Sequence, residues 1–180
     1  AQAGIHVVDL GCGPGDVSRR LLRSQPNIML EGIDGSEGMI ATARAMSSAY
    51  DGRVVYRVAQ LQNLPTLLAP ADIILATGML HHLPNPLELW NCIRTMHKGA
   101  HGAEILVADL IRPESASEAA RLVQVHAGQE RAELQRDFYH SFLASFRISE
   151  VQAQLRLAGL EHLIVEKLDD LHLVVHGDTH

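Results

Sequence analysis

Two groups of residues in this chain have types and spacing that suit chemistry. The first is Ile5-His6-Val7-Val8-Asp9-Leu10-Gly11-Cys12-Gly13-Pro14-Gly15, in which glycine recurs at every second position behind an apolar, β-branched run. Glycine has no side chain to hold a ligand away, so such a turn lets the backbone approach a small molecule closely. Asp9 and Asp16 bracket the turn with negative charge, and Asp34 stands about twenty residues further on, where a carboxylate can grip a ribose diol. The second group is His81-His82, ahead of Leu83-Pro84-Asn85-Pro86. An imidazole with an ordinary pKa near 6.5 can take a proton from an acceptor at neutral pH; either ring can equally serve to bond the loop that the two prolines stiffen.

Elements that can position these groups are legible in the apolar pattern. Ile5, Val7 and Val8 read as a strand buried on both faces, and Val17, Leu21 and Leu22 share one face of a helix over roughly 14–24. Ile28–Ile33 reads as a second strand ending at Asp34-Gly35, and Ser36 caps a helix that carries Met39, Ile40 and Ala43. Arg53–Val58 alternates as a half-buried strand, Asp72–Ala76 is a fourth strand, residues 86–97 are helical, and Glu104–Asp109 is a fifth strand. Two helical stretches follow over about 114–128 and 130–146, with Arg112 expected to pair locally with Asp109. A helix opened by Ser149 ends at Gly159, and 163–167 with 171–175 reads as a closing hairpin. Strand and helix alternate up to that hairpin, so the expectation is a doubly wound α/β fold of seven strands, order 3-2-1-4-5-7-6, mostly parallel, the last antiparallel.

The glycine spacing discriminates between ligands. A dinucleotide fingerprint, G-x-G-x-x-G, has its third glycine where this chain has Asp16, an acid that a pyrophosphate would avoid. Asp9-Leu10-Gly11-Cys12-Gly13-Pro14-Gly15, together with Asp34, Asn63-Leu64-Pro65, His81-His82-Leu83-Pro84-Asn85-Pro86 and Asp109-Leu110-Ile111-Arg112-Pro113, resembles the class I S-adenosylmethionine-dependent methyltransferases, small-molecule type. The resemblance runs through essentially the whole chain. It implies a Rossmann-like methyltransferase fold and S-adenosylmethionine as cofactor, whose ammonium and sulfonium suit an acidic, phosphate-free turn. It places the cofactor against Asp9, Gly11, Cys12, Gly13, Gly15, Asp34, Gly35, Met39, Gln60, Leu61 and Thr77, with Asp34 on the ribose. Gln60 stands where the family has an acid that accepts from the adenine amino group; a carboxamide can accept the same bond without the charge-assisted part. His82 or His81 is the candidate catalytic base. Met39 at helical spacing is also what a core residue looks like. The chain also departs from the family at 98–102, where the usual Pro-Gly-Gly turn is Lys98-Gly99-Ala100-His101-Gly102 and a less rigid entry to the fifth strand is expected.

The length suits one methyltransferase domain over 1–180, with a helical insert at about 114–146 on the substrate side. The methyltransferases it resembles usually carry helices ahead of the first strand that cover the cofactor, and the expectation is that this chain, which starts a few residues before that strand, lacks them. Either the chain is a piece of a longer one, or a second copy or partner supplies the cover, or the site stays open. A net charge of −6 without a basic run speaks against nucleic acid and anionic membranes. Cys12 and Cys92 form neither a disulfide framework nor a metal knuckle, which points to a reducing, cytoplasmic setting. His81, His82, His97 and His101 lack an acid or cysteine at ligand spacing, so no metal is expected. The leading expectation is methyl transfer to a small-molecule acceptor. The alternative is a cofactor-binding but catalytically silent domain acting through a partner, with a dinucleotide oxidoreductase a distant third.

Overall fold

The computed structural model describes residues 4–66, 71–99 and 102–177, with the backbone alone at 65–66 and 97–99. Seven strands, β1 (Ile5–Leu10), β2 (Ile28–Asp34), β3 (Val54–Val58), β4 (Ile73–Thr77), β5 (Glu104–Leu110), β6 (Ile164–Lys167) and β7 (His172–Gly177), form one sheet. Their order is β3-β2-β1-β4-β5-β7-β6, and β7 runs antiparallel to both β5 and β6. The expected topology is therefore the observed one. Its physical basis is plain: the connection from Lys167 to His172 is too short for a crossover, so the last two strands must form a hairpin.

Six helices cover the faces: α1 (Asp16–Ser24), α2 (Glu37–Met46), α3 (Leu87–Gly99), α4 (Ala116–Ala127), α5 (Ala132–Ala144) and α6 (Ile148–Ala158). Val8, Leu10, Ile33, Ile74 and Val107 of the sheet meet Trp90 and Ile93 of α3 and Val151 and Leu155 of α6 in the main core. The buried Trp90 indole donates to Gln154 Oε1 at 2.9 Å, tying α3 to α6. α4 and α5 pack on each other through Leu122, Val123 and Phe142, and α5 also packs on the 3₁₀ turn Leu80–His82.

Three local expectations are corrected. α1 begins at Asp16 rather than at Pro14, because Gly15 is held left-handed (φ 81°) at the N-cap and belongs to the turn. α6 begins at Ile148 and Ser149 lies within it; Glu150 Oε2 instead accepts from the Arg147 backbone N–H at 2.8 Å. Arg112 does not pair with Asp109: its guanidinium donates to Ser145 O at 2.7 Å and to Glu150 Oε1 at 2.9 Å. The 98–102 turn falls largely outside the described residues. Ser36 does cap α2, its Oγ accepting from Met39 N at 3.4 Å, and α6 ends on Gly159 in the left-handed region (φ 70°).

One glycine supports the site from below. A Cβ on Gly32, in the middle of β2, would stand 2.5 Å from the Tyr56 ring. That ring lies across β2 and its hydroxyl is 3.0 Å from Ser47 Oγ. Gly32→Val must push the ring aside, and we expect it to cost about 2 kcal/mol or more, read as a lower midpoint in urea unfolding. An unchanged midpoint would show that the ring moves freely.

Candidate functional site

A cavity of about 550 Å³ opens at the carboxyl ends of β1, β2 and β4. In an open α/β sheet this is where the strand order reverses, and where ligands bind. Its floor is the glycine turn. Gly11, Gly13 and Gly15 all have positive φ (66°, 53° and 81°), a conformation that residues with a Cβ rarely adopt. Cys12 N donates to Ile33 O at 2.9 Å and Gly15 N to Cys12 O at 3.0 Å, which fixes the turn against β2. A Cβ on Gly11 would meet Met79 Sδ at 2.7 Å, whereas one on Gly13 would meet nothing within 4 Å. Gly13 thus presents bare backbone to open space in the cavity.

Asp34 closes the other side of the turn. Its Oδ2 accepts from Gly13 N at 3.0 Å and its Oδ1 from Ser36 N at 2.8 Å. Each carboxylate oxygen keeps further lone-pair capacity toward the cavity that Asp34 lines. Asp9 is wholly buried beneath the turn, with Oδ2 accepting from Ser18 Oγ at 2.6 Å. Its Oδ1 has no hydrogen-bond partner among the described residues. Burial, partly offset by the Ser18 bond and reinforced by Asp34, pushes the Asp9 carboxyl up to about 6. Burial likewise pushes the Cys12 thiol up to about 12, with Asp9 and Asp34 adding to it, so this thiol is inert.

Of the residues that sequence reasoning placed at the cofactor, Gly11, Cys12, Gly13, Asp34, Gly35, Met39, Gln60, Leu61 and Thr77 line the cavity. Asp9 lies behind its wall, and Gly15 caps α1 instead of lining it. Met39 is 46% exposed, so it belongs to the cavity wall rather than the core.

The two histidines part company. His82 lines the cavity, and its pKa is lowered by burial and then by His81, with Asp109 acting the other way. It is therefore neutral at pH 7 and above. The His81 side chain is 7% exposed, with Nδ1 2.5 Å from Asp109 Oδ1. Against a carboxylate acceptor Nδ1 carries the proton. The two rings lie 4.0 Å apart between centroids. Asp109 also accepts from Leu80 N and Leu110 N, both at 2.6 Å, so one buried carboxylate at the end of β5 sets the turn that carries both histidines.

Three contributors, Ser18, Gln62 and Glu88, were missed in the sequence, and Asp109 was expected to pair with Arg112 instead. Asp109 and Ser18 act at separations of 28 and 9 residues from their partners, which no local pattern reveals. Gln62 Nε2 donates to Glu88 Oε2 at 2.7 Å across the cavity wall, joining the segment after β3 to the start of α3. An acid closing a buried strand was the one available signal for Asp109.

The profile of the family described as "Methyltransferase domain" matches residues 7–99, slightly more than half of the chain and including the turn, Asp34 and both histidines. The chain belongs to this methyltransferase-domain family. Among relatives, it is 32% identical over 164 residues to 27-O-demethylrifamycin SV methyltransferase of Amycolatopsis mediterranei, covering 89% of this chain and 55% of that protein. It is 29% identical over 161 residues to the ubiquinone biosynthesis O-methyltransferase of Pseudomonas aeruginosa, covering 88% of this chain and 66% of that protein. The chain thus spans little more than half the length of the first of these relatives. The plantazolicin methyltransferase BpumL in complex with SAH shares the fold at a TM-score of 0.73 and 17% identity, covering 96% of this chain and 74% of that one. A SAM-dependent methyltransferase from Aquifex aeolicus does so at 0.69 and 17%, with coverage of 98% and 83%.

Proposed function

We propose that this chain performs S-adenosylmethionine-dependent transfer of a methyl group to a hydroxyl of a small-molecule acceptor. The observation that carries the reading is one cavity that joins the glycine turn, the Asp34 carboxylate and the His82 ring. The site fits the cofactor. Gly13 leaves open space where a side chain would stand, and Asp34 offers both carboxylate oxygens to a diol. Asp9 holds an unpartnered buried oxygen suited to a nearby cation. When bound, the cofactor supplies a methyl group already activated by its sulfonium. The acceptor's oxygen is the only part that needs activation, and the relative named above as an O-methyltransferase supports that choice of atom.

The chain's own residues then have separate tasks. Backbone of Gly11–Gly13 and the Asp34 carboxylate bind and orient the nucleoside end. His82, neutral and facing the cavity, takes the acceptor's hydroxyl proton on an unprotonated ring nitrogen. His81, its Nδ1 proton held by Asp109, packs beside His82 and fixes its approach. α5, which packs on the 80–82 turn, and α4, packed on α5, form the insert that would shield the acceptor side from water. The two free, buried cysteines accord with work in a reducing, cytoplasmic compartment. No helix among the described residues is long and apolar enough to cross a membrane.

Calorimetric titration with S-adenosylmethionine, S-adenosylhomocysteine and NAD tests the cofactor, and incubation with a panel of phenols and alcohols tests the transfer. Binding of NAD alone overturns the reading. Binding of the first two without turnover of any hydroxyl leaves a binding domain that acts through a partner. Within that experiment, Asp34→Ala removes a charged acceptor worth roughly 1.5–3 kcal/mol. Its affinity for S-adenosylhomocysteine is expected to fall about 10-fold or more, and equal affinity would remove Asp34 from the ribose.

A further inference from the structure

The cavity wall carries one sign of charge. Asp16, Asp34 and Glu88 line it, and the lining holds no lysine or arginine. Asp16 is answered from below: the Arg19 guanidinium, buried beneath the turn, donates to its Oδ1 and to Pro14 O. No cation answers the other two among the described residues. Asp34 accepts from the backbone N–H groups of Gly13 and Ser36, and Glu88 Oε2 accepts from the neutral Gln62 carboxamide. Asp9, behind the wall, accepts from Ser18 and is ionised above about pH 6. Arg57 and Arg112 are committed elsewhere, to Glu31 and Glu150. His82 is neutral at pH 8 and His81 pairs with Asp109, so neither histidine adds a net positive charge. A cavity of about 550 Å³ is roughly 10 Å across, close to the Debye length at 0.1 M salt. A charge seated in it therefore meets the field of all three carboxylates, which the low-dielectric walls concentrate.

We infer that Asp9, Asp34 and Glu88 together select the cofactor by its sulfonium charge, so that the methyl donor binds this chain more tightly than the spent product. This rests on the cofactor reading above. S-adenosylmethionine and S-adenosylhomocysteine share the nucleoside, the ammonium and the carboxylate, whose contacts cancel when the two are compared. They differ by the methyl group and by one positive charge on sulfur. A carboxylate about 10 Å away in a cavity open to water attracts that charge by an amount worth about 2- to 5-fold in affinity, and the three act in the same sense. The donor is thus held in part by the charge it loses on transfer, and the product competes weakly with fresh donor. Glu88 reports this field most cleanly. Asp34 also holds the turn and Asp9 supports it from beneath, whereas a glutamine at 88 keeps an oxygen for Gln62 and removes the charge alone.

The test is calorimetric titration at pH 8 with S-adenosylmethionine, S-adenosylhomocysteine and sinefungin, whose amine carries a charge where the sulfonium stands; it requires no acceptor and no turnover. At about 10 mM salt the parent is expected to bind the two cations about 10-fold more tightly than S-adenosylhomocysteine. At about 1 M salt, where the Debye length is about 3 Å, that ratio should shrink by about 3-fold or more. Glu88→Gln should weaken both cations about 2- to 5-fold at low salt and leave S-adenosylhomocysteine within about 2-fold of the parent. Binding of S-adenosylhomocysteine as tightly as the cations at low salt overturns the inference. So does a preference that salt leaves unchanged, and so does a Glu88→Gln ratio of cation to product equal to the parent's. In each of those cases S-adenosylhomocysteine still binds, and the cofactor reading stands. Failure of the parent to bind any of the three overturns both.

Discussion

His82→Gln is expected to lower kcat for a hydroxyl acceptor by about 100-fold or more, the usual range of a general base, with S-adenosylhomocysteine binding nearly unchanged. The reason is positional. His82 lines the cavity beyond the glycine turn, and no hydrogen bond ties its ring to any other described residue, so its loss removes a proton acceptor and little else. Burial and His81 lower its pKa from the ordinary value of 6.5, so its neutral form persists further into acid. The kcat profile should therefore fall only below the ordinary histidine range, and this limb should vanish in the variant. His81 should behave differently. Its ring is fixed by Asp109, which also accepts from the buried N–H of Leu80. Asp109→Ala strands that donor, costing roughly 1–3 kcal/mol for each unsatisfied buried group, and should show first as lost stability. Full turnover in His82→Gln would leave catalysis to positioning alone.

The division between the two histidines shows where reading the chain runs out. The turn from Asp9 to Gly15, the acid at 34 and the histidine pair were visible because their spacing is local, set by a strand end and the next few residues. The sheet order was equally visible, since buried parallel strands such as Ile28–Asp34 and Ile73–Thr77 are nearly continuous apolar runs. Which histidine faces the cavity depends on Asp109, which reaches the 80–82 turn only through the pairing of β4 with β5. Arg112 was expected at Asp109 because it is three residues away, yet α6 offers it Glu150 and the chain before α6 offers the Ser145 carbonyl. Contacts made by the register of the sheet or by the docking of a later helix have no local signature. The same holds for Ser18, which meets Asp9 only because α1 folds back over β1.

Asp9 joins fold stability to cofactor binding, and Asp9→Asn should separate them. The Asp9 carboxyl holds its proton up to about pH 6 in the folded chain and loses it near the ordinary 3.8 when unfolded. A carboxyl raised in this way makes the folded state less stable as pH rises from 3.8 to about 6, and the penalty is constant above that. Two pKa units correspond to about 3 kcal/mol. Asparagine keeps an oxygen for Ser18 and carries no charge, so the ligand-free variant should melt several degrees higher at pH 8. That gain should shrink as pH falls through 6 and be gone below 4. The groups that face Asp9 are Ser18, Cys12 and Asp34, and none of them brings a positive charge. A cofactor ammonium would supply one, stabilising the ionised form and releasing the proton held below pH 6. Affinity of the parent for S-adenosylhomocysteine should therefore decline as pH drops through 6, and the variant should bind about 10-fold or more weaker at pH 8, with no such decline. Calorimetry at pH 5 and pH 8, beside thermal melts of the empty protein at the same values, reads both halves. A variant that gains stability yet binds as tightly as the parent would make Asp9 a strained support for the turn, with the cofactor's cation held elsewhere.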